Sequence, residues 1–197
     1  MHYNNHLMQT APETIKSYIS IDVETSGPNP GQYSMLSIGA CTLTEPRQTF
    51  YIELKPDKAG FRQDALAISG LSMETLANDG TPPKESMQKL ADWLKEVIPE
   101  EERPLFVAFN APFDWMFIND YFMRYLGFNP FGHAALDIKS YFMGQEKVKW
   151  SQTSMRYISD HLDGNGPLSH NALQDAIDQA KLFEKMLANA SNDKDLE

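Results

Sequence analysis

Apolar and polar residues alternate in the stretch YISIDVETSG, residues 18–27. In a strand, Ile19, Ile21 and Val23 share one face, and Ser20, Asp22 and Glu24 share the other. The pattern predicts a strand over residues 18–23, then a Gly/Pro-rich turn (SGPNPGQ) and a second strand over 35–43. After a break at Glu45 and Pro46, a third strand over 49–54 completes a three-stranded meander. The next segment, PDKAGFRQDALAISGLSMETLANDG, reads as irregular structure with two small helices broken at Gly70 and Gly80.

From Pro83 onward the period changes from two to 3.6. Met87, Leu90, Ala91, Leu94 and Val97 predict an amphipathic helix ended by Pro99. PLFVAFN is then a short buried strand. Asn110 as N-cap and Pro112 in the first turn open a helix that runs to Leu126, apolar on most sides and closed by Gly127. AALDI is a fifth strand. Met155, Ile158 and Leu162 mark one further helix, and Leu173, Ile177, Ala180, Phe183 and Leu187 mark the last. Strands first, then helices alternating with two more strands, predict an α/β fold: a five-stranded mixed sheet with helices on both faces.

The chain has 197 residues, 42% of them hydrophobic, enough for one well-cored domain over residues 17–190. The ends, 1–16 and 191–197, read as flexible tails. No apolar run is long enough to span a bilayer and the first residues lack the apolar stretch of a signal peptide, which together predict a cytoplasmic protein with no membrane attachment. One cysteine, Cys41, lies in an apolar run; it excludes an internal disulfide and a Cys-rich zinc site, and reads as core filler. The formal charge of −10, from 17 basic and 27 acidic residues, argues against a surface that neutralises many phosphates of a long nucleic acid. It leaves room for a nucleic-acid enzyme whose acids gather around cations.

Asp22 and Glu24 are the first such acids. Side by side and partly desolvated, two carboxylates repel until one takes a proton or a cation joins them. Alone, the pair is equally readable as a solvated strand end. Three further features fall where structure is predicted to break: Asp114 in the first turn of a helix, Asp137 at the end of the fifth strand, and His170 with Asp175 at the start of the last helix. Five residues of helix turn through about 500°, so His170 and Asp175 would not face the same way within one helix. His170 is better placed on the loop before it, reaching over a site that Asp175 lines. Asp22, Glu24, Asp114 and Asp175 offer oxygen ligands only, which suits Mg²⁺ or Mn²⁺ rather than zinc. Such a set fits displacement at phosphorus assisted by two divalent cations, with His170 taking the proton from water.

The motifs IDVETSG, FNAPFD and HNALQDA, in that order, resemble the three exonuclease motifs of the DEDD superfamily. The histidine in the last motif is that of the subgroup containing proofreading exonucleases and RNase T-like enzymes. ALAISGLSMETL also resembles the helix and loop between the family's first two motifs, so the resemblance covers roughly residues 17–187. It implies an RNase H-like fold and release of nucleoside 5′-monophosphates from the 3′ ends of single-stranded DNA, RNA or short oligonucleotides. It further implies that Asp22, Glu24 and Asp175 hold one cation, that Asp22 bridges to a second held by Asp114, and that His170 is the general base. Thr25 would meet the terminal 3′-hydroxyl through its backbone, Ile68 and Phe113 would pack around the last nucleotide, and Asn110 would fix the second motif. Relatives of this size are often homodimers.

Two positions depart from the pattern: Phe109-Asn110 replaces a common His-Asn, and Ser69-Gly70 replaces a common His-Gly. Both lie near the expected substrate rather than the cations. A catalytically silent module that binds nucleic-acid ends would show a lost acid or histidine, and none is lost. A hydrolase of dinucleotides or small phosphodiesters would keep the same set and suit the acidic surface. For Asp137 a capping role is preferred over support of the site. His2, His6, His133 and His161 read as surface residues and Asp178 as solvated. The methionines and aromatics of residues 112–126 read as core.

Overall fold

The computed structural model describes residues 17–162 and 170–192. Its five strands are β1 (Tyr18–Thr25), β2 (Met35–Thr42), β3 (Thr49–Glu53), β4 (Leu105–Ala108) and β5 (Ala135–Asp137), ordered β3-β2-β1-β4-β5. The first three form the expected antiparallel meander, while β4 and β5 add in parallel on the far side of β1. β1 is therefore central and pairs on both edges. Its ladder with β2 is regular from Ile19 to Glu24 and breaks register between Glu24 and Thr25.

Among the described residues there are seven α-helices: α1 (Gln63–Ser69), α2 (Met73–Asp79), α3 (Pro83–Val97), α4 (Ala111–Leu126), α5 (Ile138–Glu146), α6 (Met155–His161) and α7 (Ala172–Asn192). The two small helices end at Gly70 and Gly80, as the glycines suggested. α3 and α4 cover one face of the sheet, on which Ile19, Ile21, Val23, Ile38 and Ile52 meet Met87, Leu90, Phe117 and Phe122 in one continuous cluster. α5, α6 and α7 cover the other, where Cys41, Leu43 and Val107 meet Phe142, Ile158, Phe183 and Met186. Each fully buried side chain of this size contributes about 1.5–3 kcal/mol of transfer free energy, so both layers hold the sheet. Cys41 is core filler, and burial pushes its thiol up to about 12.

Two sequence expectations change. The fifth strand stops at Asp137, because Ile138 already begins α5, a helix the short apolar run did not reveal. Asn110 sits at the N-cap position of α4 with φ 64° and makes no side-chain cap. The Asp137 carboxylate instead accepts from the Ala111 N–H at 2.9 Å, while its other oxygen caps α5 by accepting from the Ser140 N–H at 2.8 Å. Asp178, read as solvated, pairs at the surface with Lys181 at 3.2 Å. His161 lies 3.4 Å from Glu146 and stacks on Tyr157. Most aromatics of α4 are core, although Met123 is exposed. Tails 1–16 and 193–197, with His2 and His6, fall outside the described residues, and α7 continues two residues past the expected end of the domain. Among the described residues no helix is long and apolar enough to cross a membrane.

Candidate active site

The acids converge at the end of β1. Asp22 and Glu24 leave the strand on its α7 side, and α7 can lie close because of what it presents to the sheet. Ala172, Ala176 and Ala180 recur every four residues and are buried. Ser20 Oγ donates to the Ala176 carbonyl at 2.8 Å, tying helix to strand. Gly39, the residue paired with Asp22 across the ladder, completes the fit. A Cβ there would stand 2.1 Å from the carbonyl carbon of Ala172, so any side chain would force the start of α7 away from the sheet.

This close approach sets Asp175, in the first turn of α7, beside Glu24. His170 lies just before the helix, as expected, in the left-handed region at φ 59°. Its N–H donates to Asp175 Oδ2 at 2.9 Å, and Asn171 Oδ1 accepts from the Gln174 N–H at 3.1 Å, so the turn is fixed from both sides. Glu24, His170 and Asp175 each present one ligand atom within 4.8 Å of the others. The histidine thus stands among the acids at ligand distance, with its side chain exposed to solvent.

Asp114 arrives from the opposite layer. The first turn of α4 is pinned by Asp137, and Asp114 Oδ1 accepts from the Val23 N–H at 3.0 Å, which locks it onto the backbone between Asp22 and Glu24. Burial pushes the Asp114 carboxyl up to about 8, with Glu24 and Asp137 adding repulsion against two opposing N–H groups. Burial also drives Asp22 well above its ordinary value, reinforced by Asp114, Glu24 and Asp175, while Gln179 works against the rise. Glu24 is raised to about 7, by burial first and then by Asp175. Among the described residues no lysine or arginine pairs with Asp22, Glu24 or Asp114. A cluster held in this state favours either protons or cations, and its hard oxygen donors with one imidazole fit Mg²⁺ or Mn²⁺.

Of the expected substrate residues, Ile68 is 55% exposed on α1, free to meet a ligand. Phe113 is partly buried against Phe117. Thr25 follows the register break and is buried, and its hydroxyl donates to the Gly27 carbonyl at 2.9 Å. Asn110 is exposed, and its carbonyl accepts from the Phe113 N–H at 3.0 Å.

One supporting residue escaped the sequence reading. Gln179 is fully buried, donating to Asp22 Oδ1 at 2.7 Å and accepting from the Phe109 N–H at 2.9 Å. It lies four residues after Asp175 on the alanine face of α7, and an amide on an otherwise apolar face was the available signal. Asp137 was read as a cap and is one, but it also holds α4, and through it Asp114.

The exonuclease family model (RNase_T) matches residues 19–183, spanning all three motifs. The chain belongs to the exonuclease family. This exonuclease is 48% identical over 166 residues to the 3′-5′ DNA exonuclease Cap18 of Escherichia coli, covering 84% of this chain and 89% of that one. It is 26% identical over 176 residues to ribonuclease T of Klebsiella pneumoniae, covering 84% and 81%. Its fold is RNase H-like. The nuclease domain of 3′hExo, a DEDDh family member bound to rAMP, superposes with TM-score 0.71 at 15% identity over 87% of this chain and 90% of that one. Other matching structures include longer chains, of which this one spans 39% to 63%. The exonuclease is a phosphodiester hydrolase that works from 3′ ends, in a family that uses divalent metal ions.

Proposed function

We propose that the exonuclease removes nucleoside 5′-monophosphates from single-stranded DNA 3′ ends, using two Mg²⁺ or Mn²⁺ ions and a histidine general base. The observation that carries this reading is the convergence of Asp22, Glu24, Asp114 and Asp175 at one end of β1, with His170 within 4.8 Å of two of them. The preference for DNA rests on the 48% identical relative, which is a DNA exonuclease.

Asp22, Glu24 and Asp175 would hold one ion, and Asp114 together with Asp22 would hold the second. Bound ions of this kind lower the pKa of water and stabilise charge on phosphate oxygens. The protein's own part is positioning. Gln179 fixes the rotamer of Asp22, the Val23 N–H fixes Asp114, and the His170 N–H fixes Asp175. His170 accepts a proton from the attacking water, help worth about 10²–10⁴ in rate. The Thr25 backbone meets the terminal 3′-hydroxyl, Ile68 and Phe113 pack against the last nucleotide, and Asn110 shapes the turn that brings Phe113 forward.

The test uses 5′-labelled DNA and RNA strands of one sequence, incubated with Mg²⁺, Mn²⁺ or EDTA and resolved on a denaturing gel. A metal-dependent ladder shortening from the 3′ end, faster on DNA, is expected. Asp22→Ala should bind a short oligonucleotide and leave it intact. Near-normal cleavage by that variant would refute the metal assignment.

A further inference from the structure

Three side chains beside the acids are used by nothing described so far. Lys139, in the first turn of α5, has its Nζ 4.3 Å from the ring centre of Trp150 and 5.8 Å from that of Phe109. It forms no ion pair among the described residues. The nearby Asp137 has spent its oxygens on the N–H groups of Ala111 and Ser140 and on the Ser140 hydroxyl. The Trp150 ring is 54% exposed, although its backbone is fixed: its carbonyl accepts from the Thr153 N–H at 3.1 Å and the Thr153 hydroxyl at 2.8 Å, and Thr153 is fully buried.

The position of this trio is set by the sheet. β4 and β5 run parallel to β1, so the residues that follow them emerge at the end where β1 delivers Asp22 and Glu24. Phe109 follows β4, and Lys139 comes two residues after β5. Phe109 is joined to the acids by one residue, since its N–H donates to the Gln179 side chain that holds Asp22. A cation between two aromatic rings, on a chain of net charge −10, is the combination with which proteins hold single strands: the rings stack bases and the ammonium meets phosphate.

We propose that Trp150, Lys139 and Phe109 form a subsite for the strand leading up to the scissile phosphate, with a base on Trp150 and its phosphate on Lys139. Thr25, Ile68 and Phe113 stand on the α1 and α4 side of the acids, and take the terminal nucleotide. A strand that ends there leaves across the acids toward β4 and β5, where Trp150 is exposed and Lys139 and Phe109 are half-buried beside it. Phe109, which departs from the family's common histidine, supplies an apolar wall in place of a second titratable ring. The proposal rests on the exonuclease reading above and names the part of the substrate that reading leaves open.

Two measurements separate the subsite from the chemistry. The first is fluorescence anisotropy of a labelled ten-residue oligothymidylate in Ca²⁺, with the wild type, Trp150→Ala, Trp150→Phe and Lys139→Gln. The second is hydrolysis in Mn²⁺ of that oligonucleotide and of the p-nitrophenyl ester of thymidine 5′-monophosphate, which reaches only the terminal pocket. Trp150→Ala should weaken oligonucleotide binding about tenfold, Trp150→Phe should restore most of it, and Lys139→Gln should flatten the slope of log affinity against log salt by about 0.7. In Trp150→Ala the preference for oligonucleotide over ester should fall by a similar factor. Wild-type affinity in Trp150→Ala would overturn the subsite, as would an equal loss on both substrates. Trp150-dependent binding by a wild type that hydrolyses neither substrate would uphold the subsite and overturn the exonuclease reading.

Discussion

Asp57 and Asp114 are both aspartates drawn out of water, and their carboxyls move in opposite directions. Burial opposes charge at Asp57 too, but three donors outweigh it: Tyr121 Oη at 2.6 Å, Tyr125 Oη at 2.8 Å and the Arg124 guanidinium, so the carboxyl falls below its ordinary value. Arg124 is itself held over the Tyr121 and Tyr125 rings. Tyr121 also accepts from the Met35 N–H at the start of β2, so the cluster fastens α4 to the sheet. At Asp114, Asp22 and Glu24, backbone N–H groups and one amide are the partners, and the other near charges are negative. The first arrangement is complete as it stands. The second sets like charges against one another, a repulsion that protons or a bound cation would relieve.

The sharpest way to break this contrast is to remove one acid from each side. Asp22→Asn should lower exonuclease turnover by about 10³-fold or more, since it takes away a ligand shared by both proposed ions, yet it should leave the metal-free protein as stable as the wild type or slightly more so. A gel assay in Mn²⁺ and a thermal melt in EDTA read the two halves. Lower metal-free stability would mean that the acids are structural.

Asp57→Asn should do the reverse. Losing the charge that three donors surround should cost about 2–3 kcal/mol, less than a fully buried pair because Arg124 is about a third exposed. Its activity, corrected for the folded fraction in a denaturant titration, should stay near wild type. A loss of turnover without a loss of stability would tie this cluster to the chemistry.

The gentlest probe is pH. Glu24 and Asp114 rise from ordinary values of 4.5 and 3.8 to about 7 and about 8 in the folded protein. Between those values the unfolded chain has released protons that the fold retains, so metal-free stability should fall as pH climbs from about 4.5 to 8. Asp57 has the opposite sign: its contribution is present above pH 3.8 and lost as pH drops through its lower folded value. Mn²⁺ at a hundred times its Kd adds about 2.7 kcal/mol, and at a fixed Mn²⁺ concentration the gain should grow with pH as protons cease to compete. Melts across pH, with and without Mn²⁺, check the slope; a flat profile in EDTA would show the acids to be solvated.

The sequence by itself determined the run of strands and helices, the meander of the first three strands, and the set of acids. Alternation marked β1, an apolar run between turn signals marked β2, 3.6-residue runs marked α3, α4 and α7, and the motifs IDVETSG, FNAPFD and HNALQDA supplied Asp22, Glu24, Asp114, His170 and Asp175. These signals are local, because each depends on residues within a turn or a strand of one another. What only the tertiary structure decided lies between elements distant along the chain. No local pattern could show that Gly39 makes room for the start of α7, that Asp137 caps α4 in place of Asn110, or that Gln179 joins Phe109 to Asp22. Nor could composition show which acids would find donors. Asp57 and Asp114 are the same residue, and their difference arises from what the fold packs around each: two tyrosines and an arginine in one case, other carboxylates in the other.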